Sequence, residues 1–159
     1  MNNRSKNSKP AAIKRILWVL AVLLILIQFY RPARNIAEKQ DANAIELHYN
    51  VPQHVGALLR TSCYDCHSNN TRYPWYSNIQ PVASWLNSHI NDGKRHLNFD
   101  EFNAYPVEKQ KKKLKQIAET VKDGEMPLSS YTLVHHNAKL TEADKKTLID
   151  WVDAVAKSQ

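Results

Sequence analysis

The sequence predicts an all-α chain. Only 3 of its 159 residues are glycine, its apolar residues recur at i, i+3, i+4 and i+7 rather than at alternate positions, and no stretch carries a convincing strand pattern. The length fits one domain with additions at its ends.

Charge points to topology rather than to a polyanionic partner. The formal net charge is +7, from 22 basic and 15 acidic residues. Five of those basic residues (Arg4, Lys6, Lys9, Lys14 and Arg15) precede the first apolar run, and no acidic residue does. From residue 31 onward the balance is close to neutral, so nucleic-acid binding has little support.

Residues 1–10 read as a basic cytoplasmic tail, and residues 11–30 as a transmembrane signal-anchor. The apolar core Ile16–Tyr30 alone would span about 22 Å as a helix, less than the roughly 30 Å of a bilayer's hydrocarbon core. Starting at Ala11 supplies the missing turns, with Lys14 and Arg15 snorkelling to the headgroups. A cleaved signal peptide is the rival, but Gln28-Phe29-Tyr30-Arg31-Pro32 offers no small-x-small cleavage site. Under the positive-inside rule the remainder lies across the inner membrane, on the periplasmic side.

Residues 31–50 read as a polar tether, with the folded domain at 51–159. Pro52 opens a short helix that places Val55, Leu58, Leu59 and Ser62 on one face. That helix runs into Cys63-Tyr64-Asp65-Cys66-His67, a C-x-x-C-H pattern that holds both cysteines of the chain. The spacing suits covalent c-type haem attachment. Thiols three residues apart on one turn reach the two vinyl groups of a porphyrin, and the next residue brings its imidazole under the iron. A thioredoxin-like redox pair needs a βαβ context. Zinc wants a fourth ligand and usually a second Cys/His pair, and a plain disulfide or free thiols are the remaining alternative.

Residues 68–79 form an irregular aromatic loop. Tyr73 and Trp75 are candidate haem contacts and Arg72 a candidate partner for a propionate, although a small aromatic core under the loop explains the same residues. The carbonyl of Pro74 is a candidate acceptor for the Nδ1–H of His67. A second helix is expected from Pro81 to about Asp92, with Gly93 as its C′ residue and Val82, Trp85, Leu86 and His89 on its inner face.

A third helix is expected over Val107–Lys122 with Leu114, Ile117, Ala118 and Val121 as its apolar stripe. Its lysines at 109, 111, 112, 113 and 115 read as a solvated face or as a docking patch for an acidic redox partner. Gly124 ends it. Met126, the only methionine besides the initiator, follows at a Met-Pro step. Its soft thioether makes it the candidate distal iron ligand, with His89, His96, His135 and His136 as alternatives. Thr141 reads as the N-cap of a last helix that carries Leu148, Trp151, Val152 and Val155 inward, with Asp144 closing a capping box.

Short helices, a C-x-x-C-H after the first and a Met-Pro before the last resemble class I cytochromes c. The segments CYDCHSNNTRYPWYSNIQPVASWL, HINDGKRHLNF, GEMPLSSYTLVHHNAKL and TEADKKTLIDWV are similar, over residues 52–156, to a bacterial haem-binding-domain family of the Bacteroidetes type. The resemblance implies a small cytochrome c-like helical domain around one covalent haem c per chain, attached at Cys63 and Cys66 with His67 as proximal ligand. The longer aromatic loop after the motif departs from ordinary small cytochromes c. The expected function is one-electron transfer by a membrane-anchored monohaem cytochrome, an electron carrier rather than an enzyme, serving a redox partner protein. A haem-based sensor or small peroxidase with an open distal site is the alternative.

Overall fold

The computed structural model describes residues 9–158, with side chains from residue 11 onward, so residues 1–8 of the predicted basic tail lie outside the described residues. Eight α-helices and three short 3₁₀ turns make up the described residues, which contain no strand beyond an isolated bridge between Ile36 and Asn70. The chain divides into two compact units, Met1–Ala33 with Tyr73–Asn87 and Arg34–Arg72 with Ser88–Gln159.

In the first unit, α1 spans Lys9–Ile27, three residues short of the predicted end at Tyr30. The cause lies just downstream. Pro32 has no N–H to give and biases Arg31 away from helical geometry. The N–H groups of Gln28, Phe29 and Tyr30 therefore close a tighter last turn on the carbonyls of Ile25, Leu26 and Ile27, at 3.1, 3.2 and 3.1 Å. Among the described residues no helix is long and apolar enough to cross a membrane. A 3₁₀ turn over Trp75–Asn78 belongs to the same unit.

The second unit holds the core. Its first helix, α2 (Ile45–His48), lies inside the stretch expected to be a tether. Ala44 and Ile45 are buried, so the second half of that stretch is packed structure. Helix α3 (Gln53–Ser62) buries Val55, Leu59 and Ser62 on the predicted face, and Ser62 Oγ donates to the Ala138 carbonyl at 2.9 Å. One residue later, α4 (Tyr64–His67) carries the C-x-x-C-H motif.

Helix α5 (Val82–His96) is divided between the two units. It runs through Gly93 instead of ending there, and its buried positions include Ala83 and Ile90 whereas Val82 and Trp85 are exposed. Leu86 and His89, also on the predicted face, are partly buried, so that face is covered only in part. Its last turn gathers Lys94, Arg95 and His96, and the charges of Lys94 and Arg95 suit the negative end of the helix dipole.

The last long helices match their expected spans. Helix α6 (Val107–Lys122) buries Leu114, Ile117 and Val121 and ends at Gly124, whose φ of 73° is left-handed backbone that glycine adopts without penalty. A single turn, α7 (Ser129–Thr132), follows. Helix α8 (Glu142–Lys157) buries Leu148, Trp151, Val152 and Val155 and starts with the complete Thr141–Asp144 capping box. These side chains join Val55, Leu59, Phe99 and Phe102 in one apolar cluster. Burial of each large side chain contributes roughly 1.5–3 kcal/mol.

Candidate functional site

The motif is held by hydrogen bonds that leave its reactive atoms uncommitted. Cys63 is the junction between α3 and α4. Its carbonyl accepts from the N–H groups of Cys66 (3.2 Å) and His67 (3.0 Å), closing the single turn that links both cysteines and His67. Both cysteines are free thiols. Desolvation pushes Cys63 up to about 12, with the charge of Cys66 adding to it, and pushes Cys66 up to about 11, with Asp65 adding. Both are therefore protonated at neutral pH, which makes spontaneous thiolate chemistry slow.

His67 is fixed at one nitrogen. Its Nδ1 lies 3.0 Å from the Gly93 carbonyl and 3.0 Å from the Leu97 carbonyl. Carbonyls only accept, so Nδ1 carries the proton and donates to both. That assignment leaves a lone pair on Nε2, which has no hydrogen-bonding partner among the described residues. Burial lowers the His67 pKa, opposed by the bonds to Leu97 and Gly93 and reinforced by the charge of His96. A neutral imidazole oriented by carbonyl oxygens at a helix end is the form that ligates a metal. These acceptors correct the expectation for Pro74, whose carbonyl accepts instead from the Ser77 N–H at 3.0 Å.

Gly93 has a second role. A Cβ there would lie 2.6 Å from the Cys66 carbonyl oxygen, so α5 approaches the motif at a distance only glycine permits. Phe99 then closes the aromatic side, with its ring 6.5 Å from His67 edge-on and 5.2 Å from Tyr64.

Asp65, between the two cysteines, anchors a charged cluster. Arg72 gives it a bidentate pair, Nε to Oδ1 at 3.0 Å and a terminal nitrogen to Oδ2 at 3.1 Å, and the Arg72 backbone N–H adds a third bond at 3.1 Å. The Tyr131 hydroxyl donates to Oδ2 at 2.6 Å. Bonding to Asp65 raises the Arg72 pKa, and burial followed by the same bond raises that of Tyr131. Arg72, expected opposite a propionate, is thus engaged by the motif itself.

The other candidate residues are spread more widely. Tyr73 and Trp75 belong to the first unit, where Trp75 is 76% exposed and sets its ring edge-on against Tyr76. Met126 is partly buried in the segment between α6 and α7, with its N–H on the Thr120 carbonyl at 3.2 Å. His135 stacks on Tyr131 with ring centroids 4.4 Å apart, while His96 and His136 are exposed and His89 is partly buried. Among the described residues no three His, Cys, Asp or Glu side chains cluster to hold a metal ion by themselves, so a zinc site lacks its donor set there. The roles of Asp65 and Tyr131 have no signal in the sequence, because Asp65 fills an unspecified position of the motif and Tyr131 reaches it from far along the chain.

A family model described as a haem-binding domain matches residues 22–154. The chain belongs to the haem-binding domain family. The match begins inside α1, well before the region where the resemblance was read, and so takes in the supposed tether. No curated protein and no solved structure matches the chain. The residues fit the cofactor that defines the haem-binding domain. An imidazole with a fixed Nδ1–H and an unpartnered Nε2 is a donor that haem iron takes, and two free thiols stand on the same turn.

Proposed function

We propose that this haem-binding domain holds haem c covalently through Cys63 and Cys66, with His67 Nε2 as proximal ligand and Met126 as distal ligand, and carries single electrons. The observation that carries the reading is the pairing of two free thiols with an adjacent histidine whose Nδ1–H is held by the Gly93 and Leu97 carbonyls. When bound, the haem supplies the one-electron couple. The chain's part is to orient the imidazole, strengthen its donor character through those carbonyls, and fix the motif through Asp65. A methionine thioether serving as the second iron ligand would raise the potential.

We further propose that α1 and its flanks anchor the chain in the inner membrane with the haem domain on the periplasmic side. The basic residues ahead of the apolar run support that orientation, and the haem c reading agrees with it. The lysines of α6, two of which pair with Glu108 and Glu119 of the same helix, support docking of an acidic redox partner, with an effect on encounter rate more than on affinity.

The test is the absorption spectrum of the full chain, co-expressed with c-type maturation machinery, oxidised, reduced, and reduced under CO, followed by denaturing extraction. Haem that stays on the polypeptide, with a low-spin spectrum indifferent to CO, is the expected result. Covalent haem that binds CO readily turns the assignment to a sensor or peroxidase. Haem that extracts completely, from a host that matures a control cytochrome, overturns covalent attachment.

A further inference from the structure

The first unit carries an apolar surface that the haem chemistry does not use. Every residue of α1 from Ala11 to Ile27 is exposed, Trp18 by 73%. Beyond Lys14 and Arg15, the run from Ile16 to Ile27 is apolar around its whole circumference; a groove on one side cannot satisfy it, and it needs an apolar solvent. A second exposed apolar set, Trp75, Ile79, Val82 and Trp85, belongs to the same unit.

Gln80 joins the two. Gln28 Nε2 donates to the Gln80 carbonyl at 3.1 Å, and the Gln80 N–H donates back to Gln28 Oε1 at 3.0 Å. Gln80 Nε2 donates to the Tyr30 carbonyl at 2.9 Å, and its Oε1 accepts from Ser84 N–H and Oγ at 3.2 and 2.8 Å. Arg31 donates to the Asn78 carbonyl. The polar groups at this junction are thus satisfied by one another, Gln80 is only 1% exposed, and rings and aliphatic side chains face outward.

We propose that residues 75–85 dock at the headgroup–acyl boundary of a lipid bilayer, at the level where Phe29 and Tyr30 leave α1. The chemistry of the patch selects that occupant. Indole and phenol rings pair an apolar body with a polar tip and concentrate at membrane interfaces, and the patch is tied by hydrogen bonds to the end of a helix that itself needs hydrocarbon on all sides. A protein partner would have to cover α1 around its entire circumference as well. Trp75 thereby gains a role apart from the haem. The inference rests on the membrane-anchor reading above.

The full-length holoprotein is reconstituted in phosphatidylcholine vesicles doped with a phospholipid bearing a diazirine either beside the headgroup or at the acyl terminus. Cross-linked residues are then mapped by mass spectrometry. The shallow probe is expected to label residues 75–85 together with Phe29 and Tyr30, and the deep probe to label the middle of α1. In W75S/W85S, shallow labelling of Ile79 and Val82 is expected to fall several-fold while labelling of α1 holds; unchanged labelling there overturns the role of the two indoles. Labelled α1 with residues 75–85 unlabelled, or buried between two copies of the chain, overturns the inference and leaves the anchor standing. Labelled 75–85 with α1 untouched overturns the anchor alone, and no labelling overturns both.

Discussion

A methyl group on the Gly93 Cα would sit 2.6 Å from the carbonyl oxygen of Cys66 and 3.1 Å from its Cβ. Both neighbours are parts of the C-x-x-C-H motif with no flexible end to swing aside, so the backbone of α5 or of α4 would have to move. The same Gly93 lends its carbonyl to His67 at 3.0 Å. Close approach and one of the two carbonyls that orient the imidazole therefore come from one residue.

Gly93→Ala tests that dependence. Alanine gains about 1 kcal/mol in helix propensity over glycine, but forcing a methyl into a packed contact costs roughly 1–3 kcal/mol, and here the contact is backbone. A lower urea midpoint and a smaller fraction of covalently retained haem are expected. Gly124→Ala is the control. Its Cβ would meet nothing within 4 Å, and the cost comes only from φ of 73°, on the order of 1–2 kcal/mol. That variant should lose stability and keep its haem. Equal haem retention in the two would mean that α5 does not position the motif.

Tyr131→Phe removes the 2.6 Å bond to Asp65 while Arg72 still neutralises the carboxylate. With the pair kept, a loss of about 1–2 kcal/mol in urea unfolding is expected. Asp65→Asn should cost more, since it weakens the bonds from Arg72 and from Tyr131 together. If Tyr131→Phe proves as stable as the parent, the hydroxyl does not tie α7 to the motif.

The first turn of α8 makes a pH-dependent prediction. Thr141 Oγ and N–H bond the Asp144 carboxylate at 2.7 and 2.9 Å, and these two bonds hold its pKa below the ordinary value. A carboxylate with a depressed folded pKa adds stability above its unfolded pKa and loses it as pH falls through the folded one. Thr141→Ala should therefore cost about 1 kcal/mol at neutral pH, and the electrostatic part of that difference should shrink on acidification below the usual carboxylate range. Thermal melts of both proteins from neutral to acidic pH measure it. A difference independent of pH would leave the cap without its charged half.

What the sequence made legible was whatever large apolar side chains record. Helices α6 and α8 carry Leu, Ile, Val and Trp at helical spacing, and their spans and buried faces followed directly. Helix α5 followed only in part: Leu86 and His89 are partly buried, but its fully buried positions are Ala83 and Ile90, and the conspicuous Trp85 is exposed. The short α2 was hidden for a related reason, since Ala44 and Ile45 sit in an otherwise polar stretch. At the site, C-x-x-C-H announced itself, whereas the partners of His67 are backbone carbonyls, which any residue supplies and no sequence pattern marks. Asp65 occupies one of the two unspecified positions of the motif, and its bonds come from Arg72, which is near in sequence, and Tyr131, which is not.

Met126 is where the proposed function is most exposed to refutation. Its side chain is partly buried and outside the apolar cluster that holds α6 and α8 together, so Met126→Ala should leave urea stability of the haem-free chain within about 0.5 kcal/mol, as for a surface change. Covalent retention of haem through Cys63 and Cys66 should also be unaffected. The reduced protein should become CO-reactive and its midpoint potential should fall, because the thioether that favours the ferrous state is gone. Those three readouts separate ligation from packing. A variant that loses haem or stability would make Met126 a structural residue. One that keeps its potential and its indifference to CO would transfer the distal position to one of the histidines, with His89, His96, His135 and His136 the next substitutions in the same assay.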